Sequence, residues 1–305
     1  MTDRTRRKAM LTLLPTLILV VAGCTRTGGA APDDPTADPS ANPSGSPETT
    51  AAGVISHPSG ATDVVLRLDE TGGFVMATYA ASRVPPFTLY GDGTIVIRDP
   101  RGDSPPLQGS VVVANPLRTA TLSEAQVQDL LAFALGEGGL TTARREYPND
   151  RVADAGTAVF TIRTDGLTKT VSVYALGLDG DGGPDDADRA ALLKLADRLI
   201  AVGEDEALDD VVYEPLAYRA TLIESPDVAV PDVQPWPWDG IAPSDFVQGT
   251  DPNGLQFPRR VMTPAEIEDL GVTGYEGGIQ NLALAGPDGT TYLVAVRPLL
   301  RDESE

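Results

Sequence analysis

The stretch FTLYGDGTIVIRD, Phe87 to Asp99, decides how the chain is read. Phe87–Tyr90 and Thr94–Arg98 are rich in aromatic and β-branched residues, which suit a pleated, half-buried surface. Between them stands Gly91-Asp92-Gly93, whose glycines tolerate the positive φ angles that a tight reversal needs. The stretch predicts an antiparallel hairpin. The same device recurs where Asp165-Gly166 divides FTIRTDGLTKTVSVY and where Asp288-Gly289 divides LALAGPDGTTYLVAV. Their flanks do not otherwise align, so about three Asp-Gly hairpins are expected without an internal repeat.

Working outward, DVVLRLDE (63–70) and GGFVMATY (72–79) read as two strands separated by a glycine turn. Helices fall between the hairpins. Ser123 caps the first, Gln126 closes its capping box, and Leu122 with Val127 forms a hydrophobic staple. Val127, Leu130, Leu131 and Ala134 then recur on one helical face, up to a stop at Gly136 or Gly138. A second helix runs from about Asp185 to Val202 behind an acidic first turn, burying Leu192, Leu195, Ala196 and Leu199. A short third has Thr263 as cap, Pro264 at its first position, Glu266 closing the box and Gly271 as its end. The alternation lacks a βαβ rhythm. It predicts an α+β fold, largely antiparallel, with two to three packed helices. Residues 204–260 carry less periodic signal: YEPLAYRATLIES reads as one strand and PDVQPWPWDGIAPSDF as a proline-stiffened loop. The folded part is divided as 54–204 and 205–305, with one continuous domain as the alternative.

The chain's first residues read as an address. Arg4, Arg6, Arg7 and Lys8 precede an apolar run from Met10 to Ala22, too short to span a bilayer of about 30 Å. The run ends at Val21-Ala22-Gly23-Cys24, which resembles a bacterial lipobox. That resemblance implies a signal peptide over residues 1–23, cleavage after Gly23, and diacylglycerol on the Cys24 thiol. Each buried methylene contributes about 0.8 kcal/mol and stable anchoring takes two chains, which a diacylglycerol supplies. Thr5-Arg6-Arg7 leaves open whether export is by the general or the twin-arginine route. Residues 24–53 are dominated by Pro, Ser, Thr, Gly, Ala and Asp. They cannot bury enough surface to offset their ordering entropy, and a disordered tether is expected.

Composition closes off several classes. Cys24 is the one cysteine, so an internal disulfide, CxxC redox chemistry, a thiolate zinc site and a cysteine nucleophile are all excluded. Formal charge is −21, and removing residues 1–23 takes away four bases and one acid, leaving about −24. So acidic a chain lacks the clustered Lys and Arg that nucleic acid requires. Solubility through mutual repulsion explains the acidity more simply than a dedicated cation site.

Candidate sites are few. Asp179, Asp181 and Asp185 suggest a calcium loop, yet an EF-hand count from Asp179 puts Gly183, Pro184 and Ala190 at positions five, six and twelve. The plainer reading has these acids solvating a loop and favouring the following helix N-terminus. His57, the one histidine, reads as an incidental exposed side chain, and no G-x-S-x-G elbow accompanies it. Trp236 and Trp238 are ligand-binding candidates, able to stack on a sugar or grip a partner, although such a Trp-Pro pair more often packs its loop onto the domain. Arg101-Gly102-Asp103 is a loop tripeptide with little claim to adhesion.

Taken with VVLRLDETGGF, VPPFTLYGDGTIVI, LSEAQVQDLL, YPNDRVADAGTAVFTIRTDG and GPDGTTYLVAVRPLL, the chain resembles a group of exported bacterial lipoproteins of unknown function with an FTLYGDGT-type hairpin. The resemblance spans about His57 to Leu300. It implies a place on the outer face of the cell membrane and supplies no catalytic residues. The expected function is a lipid-anchored, non-catalytic module that needs no cofactor and binds an envelope protein or a glycan. The alternative is a carboxylate-dependent hydrolase acting on cell-wall carbohydrate, which two opposed carboxylates in a cleft would favour.

Overall fold

Strands that are apolar on both faces need cover on both sides, and two sheets with four helices meet that need among the described residues. The computed structural model describes residues 53–99, 105–178, 183, 185–225, 230–250 and 254–303. Gly23, Cys24, most of the expected tether, Arg101–Asp103, Asp179 and Asp181 lie outside them. Residues 52–305 form one compact unit.

β1 (Val64–Gly72) leads to α1 (Ala77–Ser82), and the opening hairpin follows as β2 (Phe87–Tyr90) and β3 (Thr94–Arg98). Next come β4 (Val112–Val113), β5 (Leu117–Thr121), α2 (Glu124–Leu135) and β6 (Glu146–Tyr147). β7 (Gly156–Thr164) and β8 (Leu167–Tyr174) precede α3 (Asp186–Ala201) and β9 (Val211–Val212). The rest is β10 (Tyr218–Glu224), β11 (Gln234–Pro235), β12 (Val247–Thr250), β13 (Gln256–Met262), α4 (Pro264–Glu268), β14 (Ile279–Ala285) and β15 (Thr291–Pro298). The first sheet has the order β6-β8-β7-β1-β2-β3-β5-β9, and the second β11-β14-β15-β10-β13-β12 with β4 added on β14. β6–β8 and β11–β14 pair in parallel. The long strands pair antiparallel, which is the α+β architecture expected.

The stretch that opened the reading does more than reverse the chain. Leu89 pairs with Ile95 and Phe87 with Ile97 across the turn. Gly91 N–H donates to the Asp63 carbonyl at 2.9 Å, and Leu122 N–H donates to the Gly93 carbonyl at 2.9 Å. A Cβ on Gly91 would overlap the Pro58 carbonyl, so glycine lets residues 58–60 pass across the turn. Thr164 also pairs with Leu167 around Asp165-Gly166, and Ala285 with Thr291 around Asp288-Gly289.

Both capping boxes form. Gln126 N–H reaches Ser123 Oγ at 3.4 Å and Ser123 N–H reaches Gln126 Oε1 at 2.9 Å. The Thr263–Glu266 pair repeats this at 3.3 and 2.7 Å. A satisfied N-cap contributes about 1 kcal/mol. The Gly72–Tyr79 strand expectation is corrected: Gly72 and Gly73 take φ of +66° and +81° and end β1, after which Phe74 is 89 % exposed and the chain coils into α1. Two consecutive glycines in the left-handed region cannot continue a pleat, so the apolar run beyond them has no sheet to join.

Strand alternation sorts the layers. Leu66, Leu68, Phe87, Leu89, Ile95 and Ile97 share a core with Leu130, Leu131, Leu192, Leu195 and Leu199 of α2 and α3. Tyr90, Val96 and Leu117, on the opposite face, pack with Tyr213 and Leu300. In the second sheet, Tyr218, Leu222, Val294 and Val296 face Ile267 of α4 and the rings of Trp238 and Phe246. Its other face receives α1 through Ala80 and Ala81. Residues after β15 then return to the first sheet: Arg67 Nη2 and Tyr90 Oη both donate to Asp302 Oδ1, at 2.6 and 2.7 Å.

Burial pushes the Asp302 carboxyl upward, but the Arg67 and Tyr90 hydrogen bonds and the Arg67 charge outweigh it and hold it below its ordinary value. Asp302→Asn leaves Arg67 mostly buried without its anion, at a cost of about 3 kcal/mol. A depressed folded value means this stability is present above about pH 4 and is lost as pH falls through the folded value. Urea melts at pH 7 and below pH 3 should show the wild-type advantage shrinking; a constant difference contradicts the assignment.

Candidate functional site

The alternation that places leucines toward the helices places charged groups between the sheets. On β1, Arg67 and Asp69 point away from the Leu66–Leu68 face. On β10, Arg219 lies directly opposite Arg297 of β15. Across the other edge of β10, Arg219 pairs with Val261 and Thr221 with Arg259, so Arg259 is its diagonal neighbour. Three guanidinium groups thus share one face of three adjacent strands, in a chain whose 44 acids outnumber its 23 bases. Like charges directly opposite across a ladder are destabilising.

A cavity of ≈60 Å³ opens there. Ala80, Ala81 and Arg83 bring the α1 side, Asp69 and Glu70 the β1 side, and Arg219, Arg259, Arg297 and Glu303 complete the charged wall. A wider groove of ≈440 Å³ shares Arg219 and Arg259 and extends over Val247, Gln248 and Val261. Gly249 gives the Arg259 side chain its room, since a Cβ there would overlap Nε.

The three arginines are not equivalent. Arg297 Nη2 donates to Glu303 Oε1 at 2.5 Å, and Glu303 is also held by the Leu300 N–H at 2.8 Å. Arg259 Nη1 donates to the Thr250 carbonyl at 3.0 Å. Among the described residues, Arg219 makes no hydrogen bond or ion pair. Burial, and then repulsion from Arg297 and Arg259 against the pull of Glu303, lowers its guanidinium to about 10. Across the cavity, burial pushes the Asp69 carboxyl up, against the Glu70 N–H at 2.8 Å and the charges of Arg67 and Arg297. The site is therefore a cationic cleft with one proton-prone carboxyl in its wall. Its chemistry suits holding an anion.

Those residues singled out from sequence that the structure describes lie elsewhere. Trp238 is 6 % exposed and its Nε1–H donates to the Glu266 carbonyl at 2.7 Å. Trp236 is half-buried, donates to the Ile241 carbonyl at 2.6 Å, and meets Trp238 edge-on with centroids 5.1 Å apart. With Phe246 and Tyr292 these rings pack one side of the second sheet, and their polar handles are spent on backbone. Asp185 bonds Arg144, while Asp186 takes the Gly183 N–H at 2.7 Å. Among the described residues no three Asp, Glu, His or Cys side chains converge on a metal position. The His57 side chain is 9 % exposed rather than free in solvent, with Nε2 3.6 Å from Glu124 and Nδ1 2.8 Å from its neighbour's Pro58 carbonyl.

Sequence reading missed Arg219, Arg259 and Arg297. The available signal was a lone arginine interrupting an apolar strand in YRATLI and LVAVRPLL. Which of them converge depends on strand register, which those local patterns do not carry. Compared with known families, with curated proteins and with solved structures, the chain finds no match.

A raised folded value for Asp69 means its contribution is full below about pH 4 and is lost as pH rises through the folded value. Asp69→Asn should therefore be more stable than wild type at pH 7, with the gain disappearing below pH 4. Chemical denaturation at the two pH values checks this, and a loss of stability at pH 7 contradicts it.

Proposed function

We propose that the chain is a lipid-anchored binding module on the outer face of the cell membrane, and that its ligand enters the cleft bounded by Arg219, Arg259 and Arg297. The observation that carries the binding site is the gathering of these arginines around one cavity with Arg219 lacking an anion partner among the described residues. Val21-Ala22-Gly23-Cys24 and the Pro/Ser/Thr-rich segment after it support the anchor and tether. Likeness to exported lipoproteins with an FTLYGDGT-type hairpin supports the same location. Asp69 and Glu303 share the cavity wall, as a carboxylate-dependent hydrolase would require. A volume of ≈60 Å³ is far below the roughly 300 Å³ at which ligand pockets begin, which favours gripping one end of a ligand over enclosing a sugar ring.

One preparation tests both halves. Full-length protein extracted from membranes in mild detergent should carry lipid on Cys24 and retain an envelope component through washing. Cys24→Ser should appear in the soluble fraction without lipid label, and Arg219→Gln with Arg259→Gln should lose the retained component. Lipid label on Cys24→Ser overturns the anchor; wild-type protein that retains nothing overturns the binding reading.

A further inference from the structure

Resting on that binding reading, the charge and size of the cleft narrow the ligand's chemistry. Four arginines (Arg83, Arg219, Arg259, Arg297) and three carboxylates (Asp69, Glu70, Glu303) line the smaller cavity. With all seven ionised the wall carries one excess positive charge, so a monoanion balances it. A dianion would sit in excess beside Asp69, Glu70 and Glu303. The volume of ≈60 Å³ is several times the roughly 10–15 Å³ that one water needs, room for a small charged group such as a carboxylate. The cleft already shows how such a group is held: Arg297 grips the Glu303 carboxylate at 2.5 Å, with a backbone N–H as second donor. Arg219, one strand away and facing the same cavity, presents the same planar fork and makes no hydrogen bond or ion pair among the described residues.

We propose that Arg219, seconded by Arg259, binds the carboxylate end of a ligand whose body lies along the ≈440 Å³ groove over Val247 and Gln248. Two wall-space chemistries offer such an end: a peptide with a free C-terminus and a uronic sugar. Val247, 71 % exposed and on the groove wall, supplies apolar contact for the body. Asp245 and Arg260 also line the groove, and Arg260 is paired with Glu266.

Full-length protein in detergent is titrated by calorimetry at constant ionic strength with four probes: acetyl-dialanine, its C-terminal amide, glucuronate and inorganic phosphate. Saturable binding is expected for acetyl-dialanine or glucuronate, and which of the two binds tighter identifies the source. The amide should bind at least tenfold more weakly than the acid. Arg219→Gln should weaken the acid by about ten- to a hundredfold, the usual worth of a hydrogen bond to a charged group. Arg219→Lys, which keeps the charge without the fork, should recover part of this. Thermal melting of each variant verifies that it is folded. Equal binding of acid and amide, tighter binding of phosphate, or an unchanged affinity in Arg219→Gln each overturns the carboxylate assignment. Envelope retention that survives in Arg219→Gln but is lost in the Arg219→Gln, Arg259→Gln double variant overturns this inference alone and leaves the cleft as the site.

Discussion

The Asp302 carboxylate links the two sheets. Arg67 and Tyr90 reach it from the first sheet, and it stands four residues beyond Pro298, the end of the last strand of the second. Removing a carboxylate from water is expensive, and two charge-assisted donors at 2.6 and 2.7 Å offset that cost. The next residue repeats the device, since Glu303 turns to Arg297. The pair of acids closes over the face of the first sheet that α2 and α3 leave open, with Leu300 and Tyr213 as the apolar part of the lid. Because the join is made by ions as well as by leucines, the space beside it is lined with charge.

That origin explains why the cleft escapes a linear reading. Hairpins, caps and helical faces are local. Gly91-Asp92-Gly93, the Ser123–Gln126 box and the Leu192–Leu199 spacing each declare an element within a dozen residues, and each forms. The error at Gly72–Tyr79 is also local: β-formers such as Phe74 and Val75 outvoted two glycines whose φ angles end the strand. Arg219, Arg259 and Arg297 are brought together by register across β13, β10 and β15, with Arg259 and Arg297 lying 40 and 78 residues after Arg219. Composition pointed the other way. So acidic a chain reads as lacking the clustered Lys and Arg of nucleic-acid binding, yet net charge says nothing about where twenty arginines gather. The tryptophan loop is legible for the opposite reason: a Trp-Pro pair more often packs its loop onto the domain than forms a binding surface, and both indole N–H groups donate to backbone carbonyls beside the core of the second sheet.

Within the cleft, stability and binding pull apart. Arg67 and Arg297 each have an acid: Arg67–Asp302 joins the sheets, and Arg297–Glu303 ties the segment after β15 back onto that strand. Arg219 stands among like charges, partly buried, with its guanidinium held below its ordinary value. A side chain kept against local repulsion is the pattern expected of a binding residue, for which some stability is given up. On this account the fold would be better off without the Arg219 charge, and the anion of a ligand restores the balance.

The most direct test compares Arg219→Gln with Arg297→Gln by urea denaturation at pH 7 without added ligand. The account predicts that Arg219→Gln is as stable as wild type or more so, because it relieves repulsion and orphans no carboxylate. Arg297→Gln should lose about 3 kcal/mol, since it strands the Glu303 carboxylate. A loss in Arg219→Gln as large as that in Arg297→Gln would make Arg219 a structural ion within the join and contradict its assignment to a ligand.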